Sequence, residues 1–156
     1  MRFFEKISFE QFKTDLNLSS KEYEEHLLPK RSTKNSAGYD FFAIEDFKLN
    51  PGEIKKIPTG YKVSCCEDEM LMILVRSSMG FKYNVRMCNQ VGIIENDYYN
   101  NETNEGHMWI ALQNHGNAVY EVKRGQAYAQ GIFTKFLLTE DDVSENMRIG
   151  GFGSTD

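Results

Sequence analysis

The last nine residues, Arg148-Ile-Gly-Gly-Phe-Gly-Ser-Thr-Asp156, combine a fixed cation, an aromatic ring and two hydroxyl groups among three glycines. The ring of Phe152 is suited to stacking on a nucleobase. Arg148, Ser154 and Thr155, together with exposed backbone N–H groups, are suited to binding phosphate oxygens. Such a glycine-rich segment has too little apolar surface to fold alone, so it is predicted to order over a ligand. A frayed terminus is the alternative interpretation.

Arg76-Ser-Ser-Met-Gly80 follows the apolar stretch Met70–Val75, which is predicted to be a strand. A guanidinium and the hydroxyls of Ser77 and Ser78 at a strand end can hold an oxyanion through charge-assisted hydrogen bonds. The same residues also occur in ordinary turns, so this motif alone is a weak indication.

A second polar stretch runs from Asn89 to Tyr98. Val91–Ile94 is predicted to form a hairpin with a returning strand, Met108–Gln113, whose backbone, with the amide of Asn89, could read a planar base. Gly92 inside a strand indicates a bulge or a close approach of another group. Glu95 is then a candidate general base. A solvated carboxylate beside a packed Tyr98 is an equally good interpretation.

Other polar residues carry less information. Asp40 follows Ala37-Gly-Tyr, and Gln130 lies in a predicted strand; each alone is most often structural. The three histidines are scattered without metal-ligand spacing and receive no role. Trp109 is expected in the core rather than as a cofactor platform.

These residues are positioned by short strands separated by turn signals. Nine strands are predicted between residues 38 and 136, at Gly38–Ile44, Glu53–Pro58, Gly60–Ser64, Met70–Val75, Tyr83–Cys88, Val91–Ile94, Met108–Gln113, Val119–Val122 and Tyr128–Phe136. Many strands with few helices indicate an all-β sandwich or barrel. Residues 1–28 are predicted to be a helical N-terminal extension, with capping boxes at Ser8 and Ser19 and a stop at Pro29.

Composition limits the class of protein. The chain has 156 residues, a net charge of −5, 40% hydrophobic and 13% aromatic residues, which fits one folded domain. The acidic balance argues against broad nucleic-acid binding. No apolar run reaches membrane-spanning length and no signal peptide is visible. The odd set Cys65, Cys66 and Cys88 is typical of reduced thiols, so a cytoplasmic location is expected.

Taken in order, five motifs resemble those of the trimeric dUTP pyrophosphatases (dUTPases). They are Ala-Gly-Tyr-Asp40, Arg-Ser-Ser-Met-Gly80, Gly-Ile-Ile-Glu-Asn-Asp-Tyr98, Gly-Gln-Ala-Tyr-Ala-Gln130 and Gly-Gly-Phe-Gly-Ser-Thr155. The resemblance implies a jelly-roll-like β domain over residues 29–146, a substrate-covering arm over residues 147–156, and a homotrimer with sites at subunit boundaries. It also implies Mg²⁺-dependent hydrolysis of dUTP to dUMP and pyrophosphate.

The resemblance also implies a role for each site residue. Glu95 would be the catalytic base, with Asp40 near a Mg²⁺ ion that the phosphates and water hold. Phosphate would be bound by Arg76, Ser77, Ser78, Gln130, Arg148, Ser154 and Thr155. Uracil would be bound by Asn89, Gly92, Ile93, Ile94, Trp109 and Phe152, and Tyr98 would exclude a ribose 2′-hydroxyl.

The chain departs from the family pattern at three places. Glu95 stands where the family has Asp, which would move the base by about 1 Å and could slow turnover around a hundredfold. The loop from Tyr99 to His107 is longer than in compact members, and the tail is one residue short between Arg148 and Phe152.

Two alternatives to dUTP hydrolysis follow from these departures. A dCTP deaminase of the same fold would need a catalytic Glu at about Ala111, where this chain has none. A non-catalytic module that binds dUTP and signals to a protein partner is conceivable because of Glu95 and the N-terminal extension.

Overall fold

A computed structural model of the protein describes residues 1–145 and residue 151. Every strand pairing within those residues is antiparallel, in agreement with the predicted all-β class. The strands are β1 Phe3–Lys6, β2 Lys30–Arg31, β3 Tyr39–Phe42, β4 Phe47–Leu49, β5 Ile54–Pro58, β6 Tyr61–Ser64, β7 Glu69–Leu74, β8 Val85–Met87, β9 Gly92–Glu95, β10 Trp109–Asn114, β11 Tyr120–Val122 and β12 Ala127–Lys135. The helices are α1 Phe9–Leu16, α2 Ser20–Glu25 and α3 Ser77–Tyr83, with one 3₁₀ turn at Asn96–Tyr98.

The largest sheet has five strands in the order β2-β3-β12-β7-β9. Its central strand β12 pairs with β3 on one side and β7 on the other. A Cβ atom at Gly131 in β12 would lie 2.9 Å from Leu71 Cδ1 and 3.1 Å from Phe41 Cε1. Glycine is therefore required where the core side chains of both neighbouring strands close over β12.

A three-stranded sheet, β5-β10-β8, faces this layer, and β11-β4 and β1-β6 form two-stranded ladders. Along β10, Ile110, Leu112 and Asn114 are buried, whereas the alternate residues are partly exposed. This period of two is the pattern of a strand with one face in the core. The shared core is closed by large buried side chains, including Phe41, Leu49, Tyr61, Leu71, Ile73, Val85, Ile110, Leu112 and Tyr128.

The two predicted N-terminal helices are present, with different limits and caps. The Ser19–Glu22 capping box forms as predicted, but α2 ends at Glu25 instead of continuing to Leu28. At Ser8 only half of the predicted box forms, because the Gln11 side chain donates to Asp15. A carboxylate from elsewhere, Glu105, accepts from Ser8 N at 2.9 Å. A carboxylate is the stronger acceptor, so it replaces the amide.

Residues 1–28 also contain a strand that was not predicted. In the ladder of β1 with β6, Phe4 pairs with Val63, and the Phe4 ring contacts Phe41 and Phe133. A second small core joins Ile7 and Phe12 to Ile44 of the β domain. The N-terminal segment therefore shares backbone pairing and core with the strands that follow.

One further strand prediction needs correction, and two short strands were missed. The strand predicted at Tyr83–Cys88 begins only at Val85, because residues 77–83 form α3 and Asn84 ends that helix in the left-handed conformation, with φ 53°. The short strands β2 and β4 were not predicted either.

Among the described residues, no helix has both the length and the apolar character that a membrane span requires.

Candidate functional site

A cavity of about 830 Å³ lies beside β9 and β10. It brings together seven of the residues that the sequence singled out, namely Asn89, Gly92, Ile93, Ile94, Glu95, Tyr98 and Trp109. Its other lining residues are Lys56, Ile73, Met87, Cys88, Met108, Ala111 and Gly151. We refer to this cavity as the Tyr98 pocket. Its walls are mostly apolar with a few polar groups, which is the usual character of a small-molecule site.

The predicted hairpin between Val91–Ile94 and Met108–Gln113 is wrong as a strand pairing. β9 pairs with β7 in the large sheet, and β10 pairs with β5 and β8 in the other. The two strands diverge because each extends an apolar ladder in a different sheet. Both strands line the Tyr98 pocket, so the predicted walls are correct although their mutual hydrogen bonding is not.

Gly92 is a point of close approach, as predicted, but it is crowded by the protein itself. A Cβ atom there would lie 3.3 Å from both Ile73 Cβ and Met87 Cε. The ladder from Gly92 to Glu95 is regular, with Gly92 opposite Ile73 and Glu95 opposite Met70, so no bulge is present. Glu95 is held at the end of this ladder, half-buried.

Tyr98 forms a buried wall of the pocket and is only 5% exposed. Its hydroxyl donates to the His107 carbonyl oxygen at 3.1 Å and accepts from Asn104 Nδ2 at 3.0 Å. Both partners belong to the loop that connects Tyr98 to β10. The described residue of the tail also packs here, because a Cβ atom at Gly151 would lie 2.4 Å from Tyr98 Cε2.

Three other predicted residues meet at the opposite end of β7. Asp40 and Gln130 face each other across β3 and β12, and Arg76 Nε lies 3.2 Å from Asp40 Oδ1. Gln130 Nε2 donates to the Val75 carbonyl oxygen at 3.1 Å. Ser77 and Ser78 are exposed in the first turn of α3, where backbone N–H groups lack intrahelical partners. We call Asp40, Arg76, Ser77, Ser78 and Gln130 the Arg76 cluster.

Gly38, in the first motif, is explained by this cluster. A Cβ atom at Gly38 would lie 2.3 Å from Gln130 Oε1. Glycine therefore leaves space for the Gln130 side chain, which extends from β12 to the Val75 carbonyl just beyond the end of β7.

The Arg76 cluster and the Tyr98 pocket are well separated within one chain. Arg76 lies six positions beyond Met70, the ladder partner of Glu95, which corresponds to about 20 Å of extended strand. None of the cluster residues lines the Tyr98 pocket. The structure thus assembles the predicted site in two parts.

Within residues 1–145 and at residue 151, no group of three or more His, Cys, Asp or Glu side chains is placed to hold a metal ion. Asp40, the predicted neighbour of Mg²⁺, instead pairs with Arg76 and accepts from Ser32 Oγ. The predicted tail residues Arg148, Phe152, Ser154 and Thr155 lie outside the described residues.

Several pocket residues were not predicted. Lys56 and Ala111 face each other across β5 and β10, and exposed Cys88 adjoins Asn89. Alternation along β10 places Ala111 on the side of Trp109, which was the available signal for it. Position 111 lines the pocket with a methyl group only, so the carboxylate that a deaminase would need there is missing.

The chain matches the dUTPase family model over residues 24–156. It is 44% identical over 130 residues to a deoxyuridine 5′-triphosphate nucleotidohydrolase of Lactococcus lactis, covering 82% of this chain and 87% of the relative. A second enzyme of that name, from Nautilia profundicola, is 34% identical over 85% of this chain and 92% of its own.

Solved structures agree with the sequence relatives. The crystal structure of dUTPase from Streptococcus mutans superposes with a TM-score of 0.71 at 34% identity, over 88% of this chain and 98% of that one. The dUTPase of Staphylococcus aureus phage phi11 shares the fold, with a TM-score of 0.68 at 20% identity over 94% and 97% of the two chains. Another structure of that phage enzyme describes a structural Mg(II) ion. With a family match over most of its length and relatives above 30% identity, the chain belongs to the dUTPase family.

Proposed function

We propose that this protein hydrolyses dUTP to dUMP and pyrophosphate, and so removes dUTP and supplies dUMP. The observation that carries the proposal is the Tyr98 pocket, which gathers the residues of the third family motif around one cavity. The names of the relatives with 44% and 34% identity point to the same reaction.

The pocket has the features that uracil and deoxyribose require. The edge of β9 offers backbone N–H and C=O groups to the base, and Asn89 adds a side-chain amide. Trp109 and Ile94 supply apolar walls. Tyr98 is proposed to lie against the sugar, where its ring would clash with a 2′-hydroxyl. A site built around hydrogen bonds to one base rejects analogues that leave its polar groups unpaired.

The Arg76 cluster is proposed to bind the triphosphate of a substrate held in the Tyr98 pocket of a second copy. Adjacent phosphates lie only a few ångströms apart, whereas about 20 Å of extended strand separates Arg76 from Glu95 within one chain. One substrate therefore fits both parts only if neighbouring copies contribute them. A homotrimer with sites at its subunit boundaries satisfies this requirement.

Glu95 is proposed to accept a proton from a water molecule that attacks the α-phosphorus. The bond from that phosphorus to the bridging oxygen breaks, and pyrophosphate leaves with the bond electrons. When bound to the phosphates, Mg²⁺ would supply positive charge against the charge growing on the leaving group. Arg76 adds a fixed cation, and Arg148 and Phe152 of the tail are proposed to cover the site.

A dUTP-binding module without catalysis is the second candidate, and Glu95 is the observation that favours it. Its extra methylene relative to Asp moves the carboxylate by about 1 Å, which is enough to impair proton transfer. Such a module would bind dUTP through the same pocket and release no pyrophosphate.

The experiment that tests the proposal is pyrophosphate release with Mg²⁺ from dUTP, UTP, dTTP and dCTP. We expect release from dUTP alone and no ammonia from dCTP. Binding of dUTP without release, in both the parent chain and the Glu95→Asp variant, would support the binding module instead. Ammonia from dCTP would support a deaminase.

A further inference from the structure

The hydroxyl of Tyr98 is held by the loop of residues 99–107. It donates to the carbonyl oxygen of His107 and accepts from the amide of Asn104. Asn104 is fixed in turn, since its Oδ1 accepts from Asn101 Nδ2 at 2.8 Å and from Gly106 N at 3.1 Å. The orientation of this pocket wall therefore depends on where the loop places His107.

His107 is fixed on both sides of its ring. The side chain is fully buried, and Nε2 accepts from the backbone N–H of Gly60 at 2.9 Å. A backbone N–H can only donate, so the ring proton must be on Nδ1, which donates to Asp15 Oδ2 at 2.5 Å. Burial lowers the pKa of His107, although the Asp15 carboxylate opposes that effect. The neutral ring thus bridges Gly60, the residue before β6, and the helix α1.

Helix α1 contacts this loop at both of its ends. Near its C-terminus it presents Asp15, which also accepts from Gln11 Nε2 at 2.9 Å. At its N-terminus Ser8 donates through its backbone N–H and its hydroxyl to the Glu105 carboxylate, at 2.9 and 2.5 Å. Lys62 Nζ donates to Asn100 Oδ1 at 2.7 Å and lies 3.5 Å from Glu105. Helix and loop are therefore joined as one unit.

We infer that helix α1 controls sugar discrimination in the Tyr98 pocket, through hydrogen bonds that run from Asp15 to His107 and from His107 to Tyr98. Asp15 and His107 are positioning residues, because neither lines the pocket. His107 supports two pocket walls: its carbonyl holds Tyr98, and its ring lies 5.3 Å from the ring of Trp109. This inference rests on the proposed function of the pocket.

The Asp15→Ala variant tests the inference. It leaves the buried Nδ1–H of His107 without its acceptor, which is a costly loss for a buried donor. We expect KM for dUTP to rise and the preference for dUTP over UTP to fall, each by about tenfold, with kcat within about twofold. Asp15→Asn keeps an acceptor oxygen and should retain most of the preference. Glu10→Ala removes an exposed carboxylate from the same helix and serves as the matched control.

Trp109 provides a readout that does not depend on catalysis. It is the single tryptophan of the chain, so intrinsic emission reports on the pocket wall beside His107. Asp15→Ala should shift that emission without ligand, and titration with dUMP and UMP should show a reduced preference for dUMP. Glu10→Ala should change neither. Wild-type protein that binds dUMP and UMP equally would contradict the proposed function itself, whereas unchanged Trp109 emission in Asp15→Ala would contradict the role of α1.

A double-mutant cycle decides whether Asp15 affects sugar preference through the Tyr98 hydroxyl. Tyr98→Phe removes the hydroxyl that His107 holds, and we expect it to lower the preference for dUMP in the same direction. Because Asp15 acts through that hydroxyl, the double variant should be no worse than the more impaired single variant. Additive losses would overturn the inference. So would an Asp15→Ala protein that melts at a lower temperature yet keeps the wild-type preference and emission.

Discussion

Shortening Glu95 by one methylene should accelerate the reaction. The β9 ladder holds the backbone in place, since Ile94 pairs with Leu71 and Glu95 with Met70. The Glu95→Asp variant therefore moves the carboxylate alone, by about 1 Å. Misplacement on that scale costs around a hundredfold in rate, which corresponds to about 2.7 kcal/mol. We expect kcat for dUTP to rise by up to about a hundredfold.

The assay is steady-state release of pyrophosphate, combined with the affinity for a non-hydrolysable dUTP analogue. Affinity should change by less than about twofold, because the substitution alters the placement of the base and not the pocket walls. Glu95→Gln, which keeps the length but cannot accept the proton, should abolish turnover and is the matched control. An Asp variant that is equally fast or slower would refute the reasoning and show that the pocket is fitted to the longer side chain.

Three further predictions concern the tail, acid stability and thiol reactivity. A chain ending at Asn146 should bind its partner copies normally yet lose turnover by about a hundredfold or more, because it lacks the cation and donors proposed to close over the phosphates; pyrophosphate release and light scattering measure the two effects. Burial lowers the pKa of His26 from 6.5 to about 4, so the unfolded chain takes up a proton first and stability should fall by about 3 kcal/mol as pH drops from 6.5 to 4. Urea unfolding should show this slope, and His26→Gln should reduce it. Cys88 is exposed and lines the pocket, whereas Cys65 is buried with its pKa raised to about 11; in a Cys66→Ser background, maleimide should label Cys88, and dUMP should slow that labelling.

The strands that position the site were predictable as short apolar runs between turn signals. The sequence located β7 and β10 in this way, and in the structure burial alternates along both strands. The pairing of β9 was not predictable from local pattern, since its partner β7 lies about twenty residues earlier and the adjacent candidate β10 was equally apolar. Pairing between distant strands depends on the tertiary arrangement of the sheets, and a short stretch of sequence does not contain that information.

The N-terminal segment shows the same limit more clearly. Ser8 has the local signature of a capping box and accepts from Gln11 N, but its own backbone N–H donates to Glu105, 97 positions away. Buried His107 and partly buried Asp15, 92 positions apart, form a hydrogen-bonded pair although neither stood out in the sequence. Such contacts arise from tertiary packing. The sequence shows the types of the residues involved but not which distant residues come together.

The candidate site was predicted from residue types, and its sharing between subunits followed only from the family resemblance. In the structure Arg76 lies beside Asp40, and Tyr98 lines a pocket together with Glu95. Opposite ends of β7 separate the Arg76 cluster from the Tyr98 pocket within one chain, and we propose that neighbouring copies complete the site.

Mixing two inactive variants tests that proposal most directly. Arg76→Ala disables the Arg76 cluster and Glu95→Gln disables the base, so each pure protein should release no pyrophosphate from dUTP. If neighbouring copies share each site, co-assembly of equal amounts should restore about a quarter of parental activity. A working site needs one copy with an intact Glu95 beside one with an intact Arg76, and random mixing supplies each with a chance of about one half. A co-assembled mixture as inactive as either variant alone would contradict the shared site.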